Sequence, residues 1–390
     1  MVESILRLID RHRTIALTAA VALVHGAVIL RAGVHLSSDS RLYSTWGDLL
    51  LANHFNVHAF LSRTTFVVPP VLYIGWVTIV AAAKLLFGPS WAAGIVVLNW
   101  VSLVVVVYLT LSTIQWLTRS PGAVLLGALL CLVTVDIMNI EPFVLSDLVF
   151  VALSTCIIAA AVRGTPVARA AGTCFVAAAC VLRPTAAPLV VFWVLALLVR
   201  DREVTAGQLR AGAVLIALLL AIAVLADASI MMRPAAWPVA AGSGWIQQLS
   251  REYHRGIVVF DRPTTFAAPP VTYGAFVALT LRKWLFYFAP VAGDYSAAHK
   301  AASLLFFVPL YLFAAVALSA WRDRRVKALI LFYILAFSAF HAVQQIDFDY
   351  RYRLPVLPAL MVLAGAGWAA AHAAWRGRSP SRAGNGSMSL

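Results

Sequence analysis

A few short stretches of this sequence carry the side chains that polar chemistry needs. Asp39 sits in Ser37-Ser38-Asp39-Ser40-Arg41-Leu42-Tyr43, directly after an apolar run. A carboxylate beside apolar surface is partly desolvated, which suits a general base. The competing expectation is that Asp39 caps a helix starting at Ser40, because Asp is a favoured N-cap. Asp147 closes Phe143-Val144-Leu145-Ser146-Asp147 between two apolar runs, with Glu141 six residues before it; it is either a site carboxylate or an interfacial helix cap. Arg183 is set among apolar residues, Val181-Leu182 before it and Pro184-Thr185-Ala186-Ala187-Pro188 after it. An arginine at such depth is costly unless it meets a carboxylate, a phosphate or a water-filled cavity, so it reads as functional. Within 341–358, the run Asp347-Phe348-Asp349-Tyr350-Arg351-Tyr352-Arg353 places arginines and tyrosines where an apolar segment resumes. Arginine forks suit phosphate and tyrosines favour the headgroup level; an ordinary interfacial anchor would look the same.

Other chemistries lack their signatures. Cys131, Cys156, Cys174 and Cys180 fall in apolar runs without metal-ligand spacing, and of His54, His58, His254, His299 and His341 only His54 and His58 stand four apart, with no HExxH pattern, so no metal site is expected. There is no P-loop, GxSxG or dinucleotide fingerprint.

Membrane helices must position these residues. Of 390 residues, 62% are apolar and 12% charged, against roughly 45–50% and about 25% in soluble proteins. That excludes a water-soluble globular enzyme, and the net charge of +14 reads first as a topology signal and not as affinity for nucleic acid. Apolar segments of spanning length lie near 14–34, 67–87, 91–117, 121–142, 148–162, 211–228, 301–320, 328–345 and 354–374, with an interrupted stretch at 170–199. The first run is too long for a signal peptide and reads as an uncleaved helix.

The clusters Arg7/Arg11/Arg13, Arg119, Arg163/Arg169, Arg200/Arg202/Arg210, Arg322/Arg324/Arg325/Lys327 and Arg376/Arg378/Arg382 flank short connections and should share the cytoplasmic side. They do so if 67–87, which contains Pro69-Pro70 and Lys84, lies along the interface and 170–199 breaks at Arg183-Pro184 into two short helices. The expected architecture is an all-α bundle of about ten spans. It forms one domain over 1–375, with outer loops at 35–90 and 229–300 and a disordered cytoplasmic tail at 376–390. Basic residues alone set that count, yet Asp39, Asp147, Arg183 and 347–353 all fall on the outer side. The 229–300 loop, with Arg233, Trp237, Trp245, Arg251, Tyr253, Arg255 and Arg262, suits interfacial helices or sugar and phosphate contacts equally.

Taken in order, these motifs resemble those of the class C (GT-C) membrane glycosyltransferases, in the branch of lipid A aminoarabinose transferase and the protein O-mannosyltransferases. Asp39-Ser40-Arg41-Leu42-Tyr43 is similar to the family's acidic motif after the first helix. Pro69-Pro70-Val71-Leu72-Tyr73 through Phe87-Gly88-Pro89-Ser90 resembles its juxtamembrane helix. Leu145-Ser146-Asp147-Leu148-Val149-Phe150, Leu182-Arg183-Pro184 and Arg351-Tyr352-Arg353-Leu354-Pro355 resemble its Ser-Glu, Arg-Pro and Arg-Tyr-x-x-Pro segments.

The resemblance implies a GT-C-like bundle with in-plane juxtamembrane helices. It implies inverting transfer of a sugar from a polyprenyl-phosphate donor to a hydroxyl on a lipid, glycan or protein, at the periplasmic or extracytoplasmic face of a bacterial-type inner membrane. Asp39 and Asp147 would be catalytic. Arg183, Arg351, Arg353 and Arg63 would bind the donor phosphate, and Tyr43 and Tyr352 would contact acceptor or sugar. Two departures stand out: a single acid, Asp39, followed by Ser40 where many relatives carry two, and Val68 where the aminoarabinose transferase has a lysine. No cofactor is expected, a divalent metal at Asp39 being the exception left open by the resemblance. The chain stops soon after its last expected span, so no soluble C-terminal domain is expected. The alternative functions are a flippase or anion transporter, with Arg183 and Asp147 as an intramembrane pair, and a non-catalytic scaffold.

Overall fold

The computed structural model describes residues 2–62, 73–199, 205–231, 273–291, 295–344 and 350–377. Arg63, Pro69 to Leu72, Asp347 and Asp349, most of the 229–300 loop and the tail beyond Gly377 lie outside the described residues. Within them the only regular structure is helical, as membrane depth requires, because no water is there to satisfy an open backbone.

Helices fill each expected segment. The first is α1 (Val2–Ala32), followed by α2 (Ser38–Ala52), α3 (Val57–Ser62) and α4 (Ile74–Phe87) in the first outer loop. Then come α5 (Trp91–Thr118), α6 (Pro121–Leu132), α7 (Val135–Ile140), α8 (Asp147–Arg163), α9 (Pro166–Leu182), α10 (Ala187–Leu198) and α11 (Ala206–Met231). The chain closes with α12 (Tyr273–Tyr287), α13 (Ala297–Ala320), α14 (Arg324–Gln344) and α15 (Leu357–Gly377). Local chemistry sets the boundaries: Ser120-Pro121 and Thr165-Pro166 each put a capping hydroxyl before a proline in the first turn, and Gly164 ends α8 in the left-handed region at φ +66°.

Among the described residues, six stretches are long and apolar enough to cross a membrane: His12–Ala32, Ile74–Thr118, Pro121–Ile140, Ala297–Ala320, Arg324–Ala342 and Arg351–Arg376. This is a multi-pass membrane protein. Within Ile74–Thr118 the chain turns at Gly88, where φ is +53°. That leaves α4 with 14 residues, about 21 Å of helix against a hydrocarbon core of about 30 Å. The 170–199 stretch breaks where expected: Arg183 is extended, Pro184–Ala186 forms a 3-10 turn, and α10 follows.

α8 is buried along most of its length, so its two ends define two faces of the bundle about 25 Å apart. At the Arg163 end, the Arg325 guanidinium donates to the carbonyls of Ala161 at 3.0 Å, Val162 at 3.3 Å and Val199 at 3.2 Å. One side chain thus satisfies the last carbonyls of α8 and the carbonyl just beyond α10. It gathers the end of α8, Val199 and the start of α14 at one end of the bundle. Arg325→Gln should lower unfolding stability in detergent by on the order of 1–3 kcal/mol. An unshifted thermal midpoint would show that these carbonyls are satisfied without it.

Candidate active site

At the other end of α8, the link leaving α1 is stitched to the link entering α8. His35 N–H donates to the Pro142 carbonyl at 2.8 Å, Val144 N–H donates to the His35 carbonyl at 3.2 Å, and Asn99 of α5 donates to the Phe143 carbonyl at 2.8 Å. One turn deeper, the buried His25 of α1 is hydrogen-bonded to Glu141 and to the Cys131 carbonyl. These contacts hold the starts of α2 and α8 side by side, and with them Asp39 and Asp147.

Asp39 is not the cap of its helix. Ser37 is, through a reciprocal pair in which Ser37 Oγ accepts from Ser40 N–H and Ser40 Oγ accepts from Ser37 N–H. Two short hydroxyls do the work that Asp39 might have done. Its carboxylate, 44% exposed, instead accepts a hydrogen bond from Arg351 Nη1 at 3.0 Å. Asp147 is the first residue of α8 and is 4% exposed, and Arg183 Nη1 donates to it at 2.6 Å. The Arg183 guanidinium also lies over the Phe150 ring at 5.8 Å. Its Nε is buried with no hydrogen-bond partner, so one strong donor of this arginine is not committed to protein.

The 3-10 turn Tyr350–Val356 presents Arg351. Tyr287 Oη donates to the Tyr352 carbonyl at 2.9 Å, and Tyr333 Oη donates to the Pro355 carbonyl at 2.8 Å. Arg353 anchors the turn: Nε and Nη2 donate to the two carboxylate oxygens of Asp136 at 2.6 and 3.1 Å, the Ala289 carbonyl accepts from Nη1, and the guanidinium stacks on Phe307 at 4.3 Å. Both side chains of that pair are 2% exposed. Arg353, expected to bind donor phosphate, is not brought to the cleft with the others. Its fork is bidentate on the Asp136 carboxylate and buried, which holds the turn in place.

An aromatic wall backs the two ion pairs. Tyr43 packs on Tyr73 at 5.6 Å and on Trp76 at 6.3 Å between centroids. Gly75 makes this possible, because a β-carbon there would stand 2.8 Å from the Val181 carbonyl oxygen of α9. Lys84 fixes the other end of α4, pairing with Asp48 at 2.6 Å and donating to the Ser44 carbonyl at 2.9 Å. Burial, and after it the Tyr73 phenol, push the Tyr43 hydroxyl well above the usual phenol range. Tyr43 therefore stays a neutral O–H within the fields of Arg183, Asp39 and Asp147.

Asp147, Arg183, Thr185, His341, Arg351 and Tyr352 line one small cleft. Of the expected site residues, Asp147, Arg183, Arg351 and Tyr352 meet there, Asp39 adjoins them through its contact with Arg351, and Tyr43 stands in the wall behind. Sequence reasoning missed Asp136, Tyr73, Thr185 and His341. Asp136 carried a usable signal, an acid near the end of the apolar run 121–142, which on the membrane-cost argument should have demanded a partner. Among the described residues, no three His, Cys, Asp or Glu side chains gather as metal ligands.

No protein-family model matches the chain, and no curated protein matches it. Among solved structures it is similar to ArnT from Cupriavidus metallidurans. The structure bound to undecaprenyl phosphate matches with a TM-score of 0.48 and 16% identity, and the apo structure with 0.44 and 18%. Each match covers 90% of this chain, which spans 59% of the length of that protein.

Breaking the buried clamp should be costly. Asp136→Ala leaves the Arg353 charge desolvated and unpaired, and should destabilise the protein by on the order of 3–5 kcal/mol, read as a lowered unfolding midpoint in detergent. A loss below about 1 kcal/mol would mean that the pair behaves as an exposed one.

Proposed function

We propose that this protein is a membrane glycosyltransferase that moves a sugar from a polyprenyl-phosphate donor to a hydroxyl acceptor at the outer membrane face. One observation carries the reading: Arg183, Arg351 and Asp147 line a single cleft at one end of the bundle, Asp39 is paired with Arg351 beside it, and Arg183 keeps a buried, uncommitted N–H. Positive charge supplied by fixed side chains suits a phosphate, and a carboxylate reachable from outside suits a hydroxyl proton.

Magnitudes assign different parts to the two pairs. The Asp39–Arg351 contact is a single hydrogen bond between partly exposed groups, and exposed pairs are worth about 0.2–1 kcal/mol. A donor phosphate would compete with Asp39 for Arg351, leaving the carboxylate beside the acceptor. The Asp147–Arg183 pair is shorter and buried, and it stays as the fixed cation of the site. The acceptor oxygen then bonds to the anomeric carbon while the bond from that carbon to the phosphate oxygen breaks, its electron pair leaving on the phosphate. Asp39 takes the acceptor proton. The departing phosphate is a stable anion held by arginine donors, so no second carboxylic acid is required, in contrast to glycoside hydrolysis.

The rival carrier expects ionisable groups near the midplane, open to each side in turn. Here the groups sit at helix ends: Asp39 and Asp147 in first turns, Arg183 just after α9, Arg351 just before α15.

The test is transfer by reconstituted protein supplied with a panel of polyprenyl-phosphate sugars and membrane acceptors. Asp39→Asn should reduce turnover by about 10²–10⁴-fold while leaving the protein folded and able to bind polyprenyl phosphate. Wild-type turnover by Asp39→Asn would remove Asp39 as the base.

A further inference from the structure

Within the cleft, His341 is a lining side chain whose chemistry the mechanism above leaves unused. It is 4% exposed, sits on α14 and has a buried Nδ1 without a hydrogen-bond partner. Its ring is held by two tyrosines: it stacks on Tyr352 at 5.2 Å and 28° between planes, and on Tyr287 at 6.1 Å and 16°. A buried polar nitrogen left unpaired costs about 1–3 kcal/mol. Packing alone would be served as well by phenylalanine, which would fill the same stack without that cost.

The other polar groups of the cleft have evident partners or tasks. Arg183 and Asp147 hold each other, and Arg351 reaches Asp39. Beside them stand two polar side chains, His341 and Thr185, with the His341 ring fixed by its stack on Tyr352. Hydrogen-bonding groups held next to a phosphate-type cation are the composition of a subsite for a sugar attached to that phosphate. From this arrangement we infer that His341 reads a hydroxyl of the transferred sugar. This rests on the transferase reading and adds to it the residue that selects the donor. A site built to hydrogen-bond a substrate hydroxyl rejects analogues lacking it far more strongly than an apolar pocket rejects a missing methylene.

Binding separates this role from a structural one. Protein in nanodiscs is titrated with sugar-free polyprenyl phosphate and with polyprenyl-phosphate hexoses and pentoses, as wild type, His341→Phe and His341→Asn. His341→Phe keeps the ring and its stacking while removing both nitrogens. It should bind the sugar-free lipid as the wild type does, yet lose roughly tenfold or more in affinity for the preferred sugar-bearing lipid. His341→Asn, which restores a polar group, should recover part of that preference. Equal weakening of both lipids by His341→Phe would overturn the assignment, because the residue would then be shaping the phosphate site or the fold. An unchanged sugar preference would overturn it as well. Wild-type protein that binds no polyprenyl phosphate at all would overturn the transferase reading together with this one, an outcome distinct from the other two.

Discussion

The buried ion pair between Asp147 and Arg183 is the interaction on which the site depends. Arg183 stands where α9 stops, in extended backbone before a proline, and a guanidinium there has no bulk water to solvate it. Removing one partner of such a pair strands the other charge in a medium that cannot screen it. The pair therefore ties the break between α9 and α10 to the first turn of α8. The charge it leaves at the surface of the cleft is directional: one amino group is spent on Asp147, and the buried Nε is not.

Around that fixed cation, the remaining contacts decide what is movable. Arg353 and Asp136 are locked by bidentate geometry and burial, so the turn carrying Arg351 has a rigid root. Arg351 reaches Asp39 across a partly exposed contact and lies over the Tyr352 ring at 5.8 Å. Two arginines on one short turn thus differ in setting, because one faces the core and the other the cleft.

Much of this was legible in the residues. The interruption at Arg183-Pro184 follows from proline chemistry, and the gathering of Asp39, Asp147, Arg183 and Arg351 at one end follows from parity once the basic clusters share a side. What was not legible depends on three-dimensional pairing. Nothing local distinguishes Arg351 from Arg353; only the position of Asp136, more than two hundred residues earlier, makes one an anchor. Asp39 could be a cap or a base until Ser37 and Ser40 are seen capping each other. His341 sits in an apolar helix, and only the rings of Tyr287 and Tyr352 on either side of it show it as part of a wall.

The central claim, that Asp147 and Arg183 form one buried electrostatic unit supporting the site, is tested most directly by a double-mutant cycle on unfolding stability. Asp147→Asn, Arg183→Gln and the double variant are compared with wild type in the same detergent. The account predicts that each single change costs on the order of 3–5 kcal/mol and that the double variant is more stable than either single one, since removing both charges leaves none stranded. Additive losses, within about 0.5 kcal/mol, would mean that the two residues do not act on each other and would contradict the account.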